Sequence, residues 1–243
     1  LLCLIRMSTQ KVFIILLNWN NWNEARECLT SLRKVTFDNF EVIVVDNGSE
    51  EEEREKIRSV HTTYSIQHTI YSDTNLGFAG GNNVGIGYAL EHGADYIMLL
   101  NNDAIVAPDF LTELVKAAES DPSYGILGSK IYKHGTNGVA FAGGRVNAFL
   151  TKGSHTTYNI QYTTYYPVDY ITGAAMLVKR EVIEKVGLMR EEYFLYYEDV
   201  DWSLRARNAG YRCILVPASK AWHKVSATNK EGSPSYIYYH TRN

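Results

Sequence analysis

The fold is decided by a run of apolar residues that ends at turn-forming residues, Val42-Ile43-Val44-Val45-Asp46-Asn47-Gly48-Ser49. The first four residues are all β-branched, which favours a strand buried on both faces, as strands of parallel sheets are. Asp, Asn, Gly and Ser are common turn residues, so the strand should end near Asp46. This stretch therefore predicts one strand of a parallel sheet, with a carboxylate at its carboxyl end.

The same succession of apolar run, polar turn and amphipathic stretch recurs on both sides of these residues. In the first half of the chain it predicts strands at 12–17, 42–45, 65–71 and 96–100, and helices at 24–32, 49–59, 81–91 and 108–119. Alternating strands and helices favour right-handed crossovers and parallel pairing. The sequence thus predicts an α/β fold with a Rossmann-like, mostly parallel central sheet flanked by helices.

The helix that follows the quoted run begins with consecutive acidic residues. Ser49 and Glu52 have the spacing of a capping box, and acidic side chains favour a helix N-terminus. Two i, i+4 pairs, Glu50 with Arg54 and Glu52 with Lys56, would stabilise the same helix. The acidic run therefore predicts a solvated helix start rather than a binding patch.

The second half of the chain is richer in Gly, Tyr and Thr between its apolar runs. Strands are predicted at 126–132, 139–146, 176–179 and 211–216, and helices at 180–186 and 198–208. These segments predict a smaller, mixed β region, and neither a repeat nor a charged linker marks a boundary. Sheet-containing folds of about 250 residues are commonly one domain, so 10–243 is predicted as a single domain. Residues 1–9 are predicted to lie outside the core, with Met7 as a candidate natural start.

The composition limits the classes of function that the chain can have. It has 243 residues, of which 45% are apolar and 21% charged, and its formal charge is -3 at pH 7. Nucleic-acid binding needs a clustered excess of Lys and Arg, so no nucleic-acid partner is expected. The three cysteines lack paired spacing and indicate neither a disulfide framework nor a zinc site, which favours a reducing, cytoplasmic setting. The apolar runs are also far shorter than the roughly 20 residues that span a bilayer.

Polar residues follow each predicted strand of the first half. Asn18 to Asn20 follow the first strand, Asp46 the second, Asp73 and the Asn75 loop the third, and Asp103 the fourth. Ligands of open parallel sheets bind beyond the carboxyl ends of the strands. A carboxylate there can accept a hydrogen bond from a base or ribose, or bind a divalent cation. Each cluster taken alone is more typical of a turn or helix cap than of a ligand site, and it is their recurrence at one edge that favours a site.

The glycine-rich segment Asn75-Leu76-Gly77-Phe78-Ala79-Gly80-Gly81-Asn82 matches neither GxGxxG nor the phosphate loop GxxxxGK[ST]. Glycines allow close approach of the backbone to a ligand, and the free amides of the helix that follows can bind phosphate. A tight turn from strand to helix explains the segment equally well. The loop from Asn75 to Gly80 is predicted to lead into a helix that begins at Gly81.

With these motifs the chain resembles the A-type glycosyltransferases of family 2, in particular their rhamnosyltransferase-like branch, from Lys11 to Asn243. The residues that carry the resemblance, in order, are Asn18-Trp19-Asn20, Val44 to Ser49, Asn75 to Asn82, Leu99-Leu100-Asn101-Asn102-Asp103, Thr172-Gly173-Ala174 and Tyr197-Glu198-Asp199-Val200-Asp201. The resemblance implies an A-type fold, with a nucleotide-sugar-binding half at 10–120 and an acceptor-binding and catalytic half at 121–243.

The resemblance also implies roles for individual residues. Asp46 would contact the base and Asp103 would be the last carboxylate of a metal-binding DxD motif, with His223 as a further ligand of Mg²⁺ or Mn²⁺. Here Asn101 replaces the first carboxylate, so the cation would depend more on oxygens of the donor. A hydrogen-bonded His223 without a metal is equally compatible with the sequence. The donor-binding residues implied are Asn18, Asn20, Asp46, Asn75, Gly80, Asn82, Asn102, Asp103 and Gly173.

The catalytic base implied by the resemblance is Asp199, with Glu198 beside it. A single base with in-line attack predicts inversion at the anomeric carbon, and an aromatic run at 193–197 can raise a neighbouring carboxyl pKa by desolvation. The helix dipole and pairing with Arg205 explain Asp201 as well as catalysis does. The tyrosines at 158, 162, 165, 166 and 170 would form either an acceptor-facing loop or packed strands.

The expected reaction is transfer of a sugar, rhamnose by resemblance, from dTDP-rhamnose or a UDP-sugar to a saccharide or lipid-linked glycan of cell-surface polysaccharide synthesis. Two alternatives remain from the residues alone. A sugar nucleotidyltransferase would have a basic, Gly-rich loop after the first strand, where residues 18–22 have neither feature. A non-catalytic, carbohydrate-binding relative would explain Asn101 but not the Glu198-Asp199 pair. Residues 238–243 resemble a family segment that normally continues, which leads us to expect peripheral membrane association through that continuation.

Overall fold

The computed structural model describes residues 9–59, 66–147, 152–157, 164–224 and 232–243. The strands are β1 (Val12–Asn18), β2 (Phe40–Asn47), β3 (His68–Ser72), β4 (Tyr96–Asn101), β5 (Ala104–Val106), β6 (Tyr124–Lys133), β7 (Val139–Phe141), β8 (Gly144–Asn147), β9 (Lys152–His155), β10 (Tyr166–Val168), β11 (Ala175–Lys179) and β12 (Arg212–His223). The α-helices are α1 (Trp22–Leu32), α2 (Glu51–Ser59), α3 (Gly77–Glu91), α4 (Phe110–Ser120), α5 (Arg180–Val186), α6 (Glu198–Asn208) and α7 (Pro234–Arg242), and a 3₁₀ turn covers Glu191–Tyr193.

One mixed sheet holds most of these strands in the order β10-β12-β6-β11-β4-β1-β2-β3, with β5 beside β12 and β7 beside β6, and β8 and β9 form a separate antiparallel pair. Parallel pairs join β4, β1, β2 and β3, and a further parallel pair joins β6 to β12. β11 is antiparallel to both of its neighbours, and β10 is antiparallel to β12. The predicted α/β fold with a mostly parallel sheet and a smaller mixed β region is therefore confirmed.

The buried strands of the first half explain why this sheet forms. Residues 12–16 of β1 and 43–45 of β2 are fully buried, as their continuous β-branched and aliphatic pattern predicts for strands covered on both faces. β1 lies between β2 and β4, so its carboxyl end is at the middle of the rim where Asn18, Asp46 and Asn101 lie at or next to the ends of their strands. The core thus brings the polar residues of three strands to one edge.

The prediction for the glycine-rich segment is wrong in one respect. Helix α3 already begins at Gly77, so Gly80 lies inside the helix and not in a loop before Gly81. The glycines allow this helix to lie close to the sheet: a Cβ on Gly81 would be 2.5 Å from Leu17, and one on Gly85 would be 2.8 Å from Ile15. Sequence reasoning treated the glycines as turn formers because their packing partners are distant in the chain.

Two other boundaries also differ from the prediction. α4 begins at Phe110, two residues after the predicted start at Pro108. β12 continues to His223, although the apolar pattern stops at Val216 before Pro217. The strand passes this point with an irregularity in its pairing to β6 between Val216 and Lys220. Such bulges accommodate Pro in a strand.

Some predictions concern residues that the structure does not describe, namely residues 1–8, the first residue of the strand predicted at 65–71, and the tyrosines at 158 and 162. The described tyrosines pack within the β region. Tyr170 is buried, Tyr165 lies edge-on to Tyr124, and Tyr166 is in β10. In the part of the chain that is described, no helix combines the length and apolar character needed to cross a membrane.

Gly77 gives a test of how closely α3 approaches the segment before α6. Its φ is +73°, and a Cβ there would overlap the carbonyl oxygen and the ring of Phe194. We expect Gly77→Ala to lower the free energy of unfolding by about 2 kcal/mol or more, because it combines a strained φ with an overlap. Denaturant unfolding measures this change.

Gly87 in the same helix is the matched control, because no atom lies within 4 Å of the position that its Cβ would take. Gly87→Ala should raise the free energy of unfolding by about 0.5–1 kcal/mol, the usual gain for Ala over Gly inside a helix. Equal stability of the two variants would show that α3 does not meet Phe194 in this way.

Candidate active site

Asn18 and Asp46 lie side by side at the carboxyl edge of the sheet. They are Cα partners in the parallel register, Asn18 as the last residue of β1 and Asp46 as the last but one of β2, and both side chains are fully buried. Asn18 Oδ1 accepts a hydrogen bond of 3.0 Å from Asn102 Nδ2, which ties the loop after β4 to β1. The rim predicted from the sequence is therefore present, with these three residues in contact.

Four buried side-chain atoms have no hydrogen-bond partner among the described residues, and two of them belong to Asn18 and Asp46 of this rim. The side-chain atoms of this kind are Asn18 Nδ2, Asp46 Oδ1, Thr69 Oγ1 and Glu198 Oε2. Three of them belong to residues that the sequence assigns to the site. Buried polar groups are nearly always satisfied in folded proteins, so such a concentration is typical of a ligand site.

Asp46 is held by a residue that the sequence did not assign to the site. Arg54 Nε donates to Asp46 Oδ2 at 2.9 Å, and the Ser49 N–H donates to the same oxygen at 3.3 Å. The predicted pair of Arg54 with Glu50 is therefore wrong, because the buried carboxylate competes better for the guanidinium than an exposed one does. The predicted pair of Glu52 with Lys56 is confirmed, with 3.0 Å between its charged atoms.

Ser49 does not form the predicted capping box. Helix α2 begins at Glu51, and Ser49 Oγ instead accepts from the Asn20 N–H at 2.9 Å. Asn20 Oδ1 accepts from the Glu50 N–H at 2.8 Å, so Asn20 connects the loop after β1 to the start of α2. Asn20 has φ +50°, a conformation that Asn tolerates better than most residues. Its contacts show a structural role at the rim.

Three residues of the predicted donor site make hydrogen bonds or packing contacts within the protein, namely Asn75, Gly80 and Asn82. Asn47 Nδ2 donates to Asn75 Oδ1 and to the Gly77 carbonyl, both at 3.0 Å. Asn82 Nδ2 donates to the Phe78 carbonyl at 2.9 Å. A Cβ on Gly80 would be 2.9 Å from Leu76 Cβ, so this glycine serves the packing of α3.

Asp103 and His223 come together through the pairing of β5 with β12. His223 is the partner of Ala104 in this antiparallel pair, which places His223 Nε2 2.8 Å from Asp103 Oδ1. Asn101 Nδ2 lies 3.1 Å from the same nitrogen. The three residues therefore form one cluster, although 120 residues separate Asp103 from His223 in the sequence.

This cluster fits a divalent cation that is shared with another ligand. The 2.8 Å between Asp103 Oδ1 and His223 Nε2 is a hydrogen-bond distance, and a carboxylate oxygen and an imidazole nitrogen are also atoms that can bind a divalent cation. Within the described ranges, no group of three or more His, Cys, Asp or Glu side chains could hold a metal ion. A cation at Asp103 and His223 would thus need further oxygens, as the replacement of a carboxylate by Asn101 predicts.

Glu198 and Asp199 lie in the first turn of α6, and they differ in the hydrogen bonds that their carboxyl groups accept. Asp199 Oδ2 accepts from the Gly173 N–H at 3.0 Å, and Asp199 Oδ1 from the Val200 N–H at 2.8 Å. Burial raises the pKa of Asp199, while the Gly173 N–H and the charge of His155 oppose this rise. Burial raises the pKa of Glu198 well above its usual value, and the charge of Asp199 raises it further.

The two halves of the site are joined through residues 172–174. The Asn101 N–H donates to the Ala174 carbonyl at 3.1 Å, while the Gly173 N–H holds Asp199. A Cβ on Gly173 would lie 2.8 Å from the Phe78 ring, so only glycine fits between α3 and Asp199. Gly173 therefore contacts Asp199, and its place near the donor sugar or acceptor stays a prediction.

Sequence reasoning missed Arg54 and Asn47 as residues of the site. Arg54 was masked by an acidic neighbour at helical spacing, and no local signal distinguishes its two possible partners. Asn47 follows Asp46 in the quoted run. Successive side chains of a strand point to opposite faces of the sheet, and this alternation could have predicted that Asn47 faces a helix packed on the sheet, which is α3.

Relatives with known names resemble this chain along most of its length. A protein of Sinorhizobium fredii, y4gI, is 28% identical over 90% of this chain and 25% of its own length. The low-salt glycan biosynthesis hexosyltransferase Agl10 of Haloferax volcanii is 26% identical over 93% of this chain and 71% of that protein. The dTDP-rhamnosyl transferase RfbF of Shigella flexneri is 27% identical over 84% of this chain and 69% of that protein. The chain thus spans between a quarter and about seven tenths of these relatives.

Solved structures show the same architecture. GalNAc-T7, solved with UDP, GalNAc and Mn²⁺, superposes with a TM-score of 0.77 at 16% identity, over 96% of this chain and 47% of that chain. The mannosyltransferase PcManGT of Pyrobaculum calidifontis, solved with GDP-Man and Mn²⁺, has a TM-score of 0.65 at 16% identity, over 97% of this chain and 62% of that chain. These likenesses confirm the A-type glycosyltransferase fold.

The family is shown by a match to a family model that covers more than half of the chain. The sequence model described as Glycosyl transferase family 2 matches residues 13–187, which include the rim of β1, β2 and β4 and the loop at Gly173. With the fold and the cluster of predicted site residues in agreement, the chain belongs to glycosyl transferase family 2.

Proposed function

We propose that this chain catalyses inverting transfer of a sugar from a nucleoside-diphosphate donor to a hydroxyl of a saccharide or lipid-linked glycan. The observation that carries the proposal is Asp199, a half-buried carboxylate whose two oxygens are each oriented by a backbone N–H next to the rim. The residues proposed to hold the donor, Asn18, Asp46, Asn102 and Asp103, are joined to Asp199 through residues 172–174 and Asn101.

The two adjacent carboxyl groups favour one acid and one base. Glu198 is buried with an unpartnered Oε2, so it retains its proton to a higher pH. Asp199 has the stabilising N–H donors and therefore ionises first. Ionised Asp199 would take the acceptor hydroxyl proton as the acceptor oxygen bonds to the anomeric carbon and the bond to the diphosphate oxygen breaks. One base and one displacement give inversion.

Asp46 and Asn18 would select the base of the donor. Asp46 Oδ1 is an acceptor and Asn18 Nδ2 a donor, and both are unpartnered at paired positions of the rim. The imide edge of uracil or thymine offers an N–H beside a carbonyl oxygen, which complements this pair. Guanine offers two neighbouring N–H groups, for which both oxygens of one carboxylate are needed, and Arg54 and Ser49 occupy Asp46 Oδ2. This supports dTDP-rhamnose or a UDP-sugar as the donor.

Asp103 and His223 would hold Mg²⁺ or Mn²⁺ together with the diphosphate of the donor. A bound divalent cation would stabilise the charge that develops on the leaving nucleoside diphosphate. The side chain of Asn101 is a neutral amide, so Asp103 is the one carboxylate in the cluster of Asn101, Asp103 and His223. A site with one carboxylate suits an anionic ligand better than a site with two.

The named relatives support the sugar and the setting that we propose. RfbF is a dTDP-rhamnosyl transferase and Agl10 acts in glycan biosynthesis, by their names. For this chain we propose rhamnose as the sugar, an acceptor from cell-surface polysaccharide synthesis, and a cytoplasmic location with peripheral membrane association. We also propose that 10–120 contributes the donor-binding half and 121–243 the acceptor-binding and catalytic half of one domain.

A donor screen tests the proposal and separates it from the alternatives. The protein is incubated with dTDP-rhamnose, UDP-sugars and GDP-sugars in Mn²⁺ or Mg²⁺, and release of nucleoside diphosphate is followed. A nucleotidyltransferase would instead release pyrophosphate from a nucleoside triphosphate and a sugar 1-phosphate. Failure to turn over any donor, with sugar binding retained, would favour a non-catalytic, carbohydrate-binding protein. The anomeric configuration of the product, read by NMR, tests inversion.

Arg54 provides a test of base selection. Arg54→Leu would release Asp46 Oδ2, so we expect the preference for uridine or thymidine diphosphates over GDP to fall by about tenfold, or about 1.4 kcal/mol. Competition binding measures the ratio of dissociation constants. Arg58→Leu is the matched control, because Arg58 lies in the same helix and pairs with exposed Glu51. An unchanged ratio in Arg54→Leu, or an equal change in Arg58→Leu, would contradict this role.

A further inference from the structure

Helix α7 and Asn243 pack against residues 192–197, the segment that leads into α6. Arg242 Nη2 donates to the Tyr193 carbonyl at 2.7 Å and also to the Glu192 carbonyl. Asn243 Nδ2 lies 2.9, 2.8 and 2.9 Å from the carbonyl oxygens of Tyr193, Leu195 and Tyr196. One amide thus contacts the carbonyls of three residues in a segment of four.

This segment has an unfavourable backbone conformation. Phe194, Tyr196 and Tyr197 have φ angles of +60°, +66° and +70°, which residues with a Cβ rarely adopt. Such conformations persist only where the surroundings impose them, and they are frequent at functional sites. Because the segment is neither helix nor strand after Tyr193, its carbonyls need hydrogen-bond donors from outside a regular helix or sheet.

Aromatic contacts and a backbone hydrogen bond also hold residues 193–197 in place. The Phe194 ring stacks on Tyr239 with 5.2 Å between centroids, and the Tyr196 ring lies 4.4 Å from His240. On the other side, the Phe78 N–H of α3 donates to the Phe194 carbonyl at 2.6 Å. Residues 193–197 are thus held between α3, which borders the donor side of the site, and α7.

The segment determines where the first turn of α6 lies. Tyr197 is the N-cap of α6, and its carbonyl accepts from the Asp201 N–H at 2.9 Å. Glu198 and Asp199 follow directly, so a change in the φ of Tyr197 would move both carboxylates relative to the Gly173 N–H. Because Asp199 lies two residues after Tyr197, its orientation would follow the conformation of residues 193–197.

We propose that Asn243 is a positioning residue for sugar transfer, which acts by holding the carbonyls of residues 193–196 so that Asp199 meets the acceptor hydroxyl. This inference rests on Asp199 as the base of the proposed function. It assigns a role in the chemical step to a side chain that lies in neither the donor rim nor the Glu198-Asp199 turn.

Two substitutions separate hydrogen bonding from packing. Asn243→Asp keeps the size of the side chain but removes the donating N–H groups and faces carbonyl oxygens with a carboxylate. Asn243→Ala removes the group altogether. We expect both to lower kcat by about 10- to 100-fold, because small displacements of a catalytic group have effects of this size. The KM and Kd for the donor should change by less than about threefold, since the donor rim lies on other elements.

Ile237→Ala is the matched control, because Ile237 is in α7 and 55% exposed. It should retain the kcat of the unmodified chain. A double-substitution cycle with Asp199→Asn then tests the mechanism: if Asn243 acts through Asp199, Asn243→Asp should have little further effect on the residual rate. Thermal unfolding is measured alongside, so that each kcat is compared at a temperature where all variants are folded.

The outcomes distinguish this inference from the proposed function. If Asp199→Asn is fully active, the proposed base is wrong. If Asp199→Asn is inactive while Asn243→Asp keeps its kcat, the positioning role is wrong and the base stands. An equal loss of donor affinity and kcat in Asn243→Asp, or additive losses in the cycle, would also overturn the positioning role and indicate general destabilisation.

Discussion

Asp199→Asn is expected to lower kcat for sugar transfer by about 10³-fold or more, with the Kd for the donor changed by less than about threefold. The amide keeps the shape of the carboxylate and can remain near Gly173 and Val200, but it cannot take the acceptor proton. Product formation under saturating donor and acceptor measures kcat, and calorimetry of donor binding measures Kd. This variant tests the base without disturbing the donor rim.

Asp201→Asn is the control in the same turn of α6. Asp201 pairs with Arg205 at 2.7 Å and with Arg190 at 3.5 Å, so its carboxylate has a structural role in these two ion pairs. Its kcat should remain within about threefold of the unmodified chain. A fully active Asp199→Asn variant, or an inactive Asp201→Asn variant that is folded, would place the base elsewhere.

The pH dependence adds an independent reading of the same pair. Burial raises the pKa of Asp199, and the rate requires its ionised form, so kcat should rise with pH through a value above that of an ordinary aspartate. Glu198 has the more strongly raised pKa and should stay protonated over this range. Glu198→Gln preserves a neutral side chain and is expected to keep this limb of the profile. Loss of the limb in Glu198→Gln would assign the base to Glu198.

The second large effect is expected from Asp103→Ala. Removing the carboxylate of the Asp103 and His223 cluster should abolish the dependence of nucleoside-diphosphate binding on Mn²⁺ and lower kcat/KM by about 10²-fold or more. Titration of UDP or dTDP by calorimetry, with Mn²⁺ and with EDTA, measures the effect. In the variant, the two titrations should give the same Kd.

Asp109→Ala is the matched control for this experiment. Asp109 is an exposed carboxylate shortly after β5, and its side chain does not cap α4. Mn²⁺ should strengthen nucleotide binding in Asp109→Ala as in the unmodified chain. If Asp103→Ala retains the Mn²⁺ effect, Asp103 is not a cation ligand. If His223→Ala, and not Asp103→Ala, loses both the Mn²⁺ effect and kcat/KM, the cation is bound by His223 without Asp103.

The fold was predictable because its signals are local. Four β-branched residues in β2 and the apolar run of β1 each require burial on both faces, and the polar turns after them mark the strand ends. The helices α5 and α6 were predicted with their observed bounds for the same reason, since each has its apolar spacing within one continuous segment. Misplaced boundaries, at Gly77, Pro108 and Val216, are those where a distant partner determines the conformation.

The common location of the predicted site residues could be derived from the sequence, but their contacts could not. Asn18, Asp46 and Asp103 follow strands whose carboxyl ends must meet at one edge in a parallel sheet, so their common location follows from topology. Arg54 was wrongly paired with Glu50, because the competing partner Asp46 is buried on another element. The proposed role of Asn243 depends on contacts with backbone carbonyl groups. Every residue has such a group, so no residue type in the sequence marks these contacts.

The sequence by itself determined the order of strands and helices, the edge of the sheet that carries the polar residues, and the carboxylates of α6. These features depend on periodicity and on turn chemistry, which act over fewer than about 20 residues. Only the tertiary structure decided that His223 meets Asp103, that Arg54 occupies one oxygen of Asp46, and that α7 holds the segment before Asp199. Each of these contacts is a competition between partners far apart in the chain or on different elements, and burial and geometry decide it only after the sheet has formed.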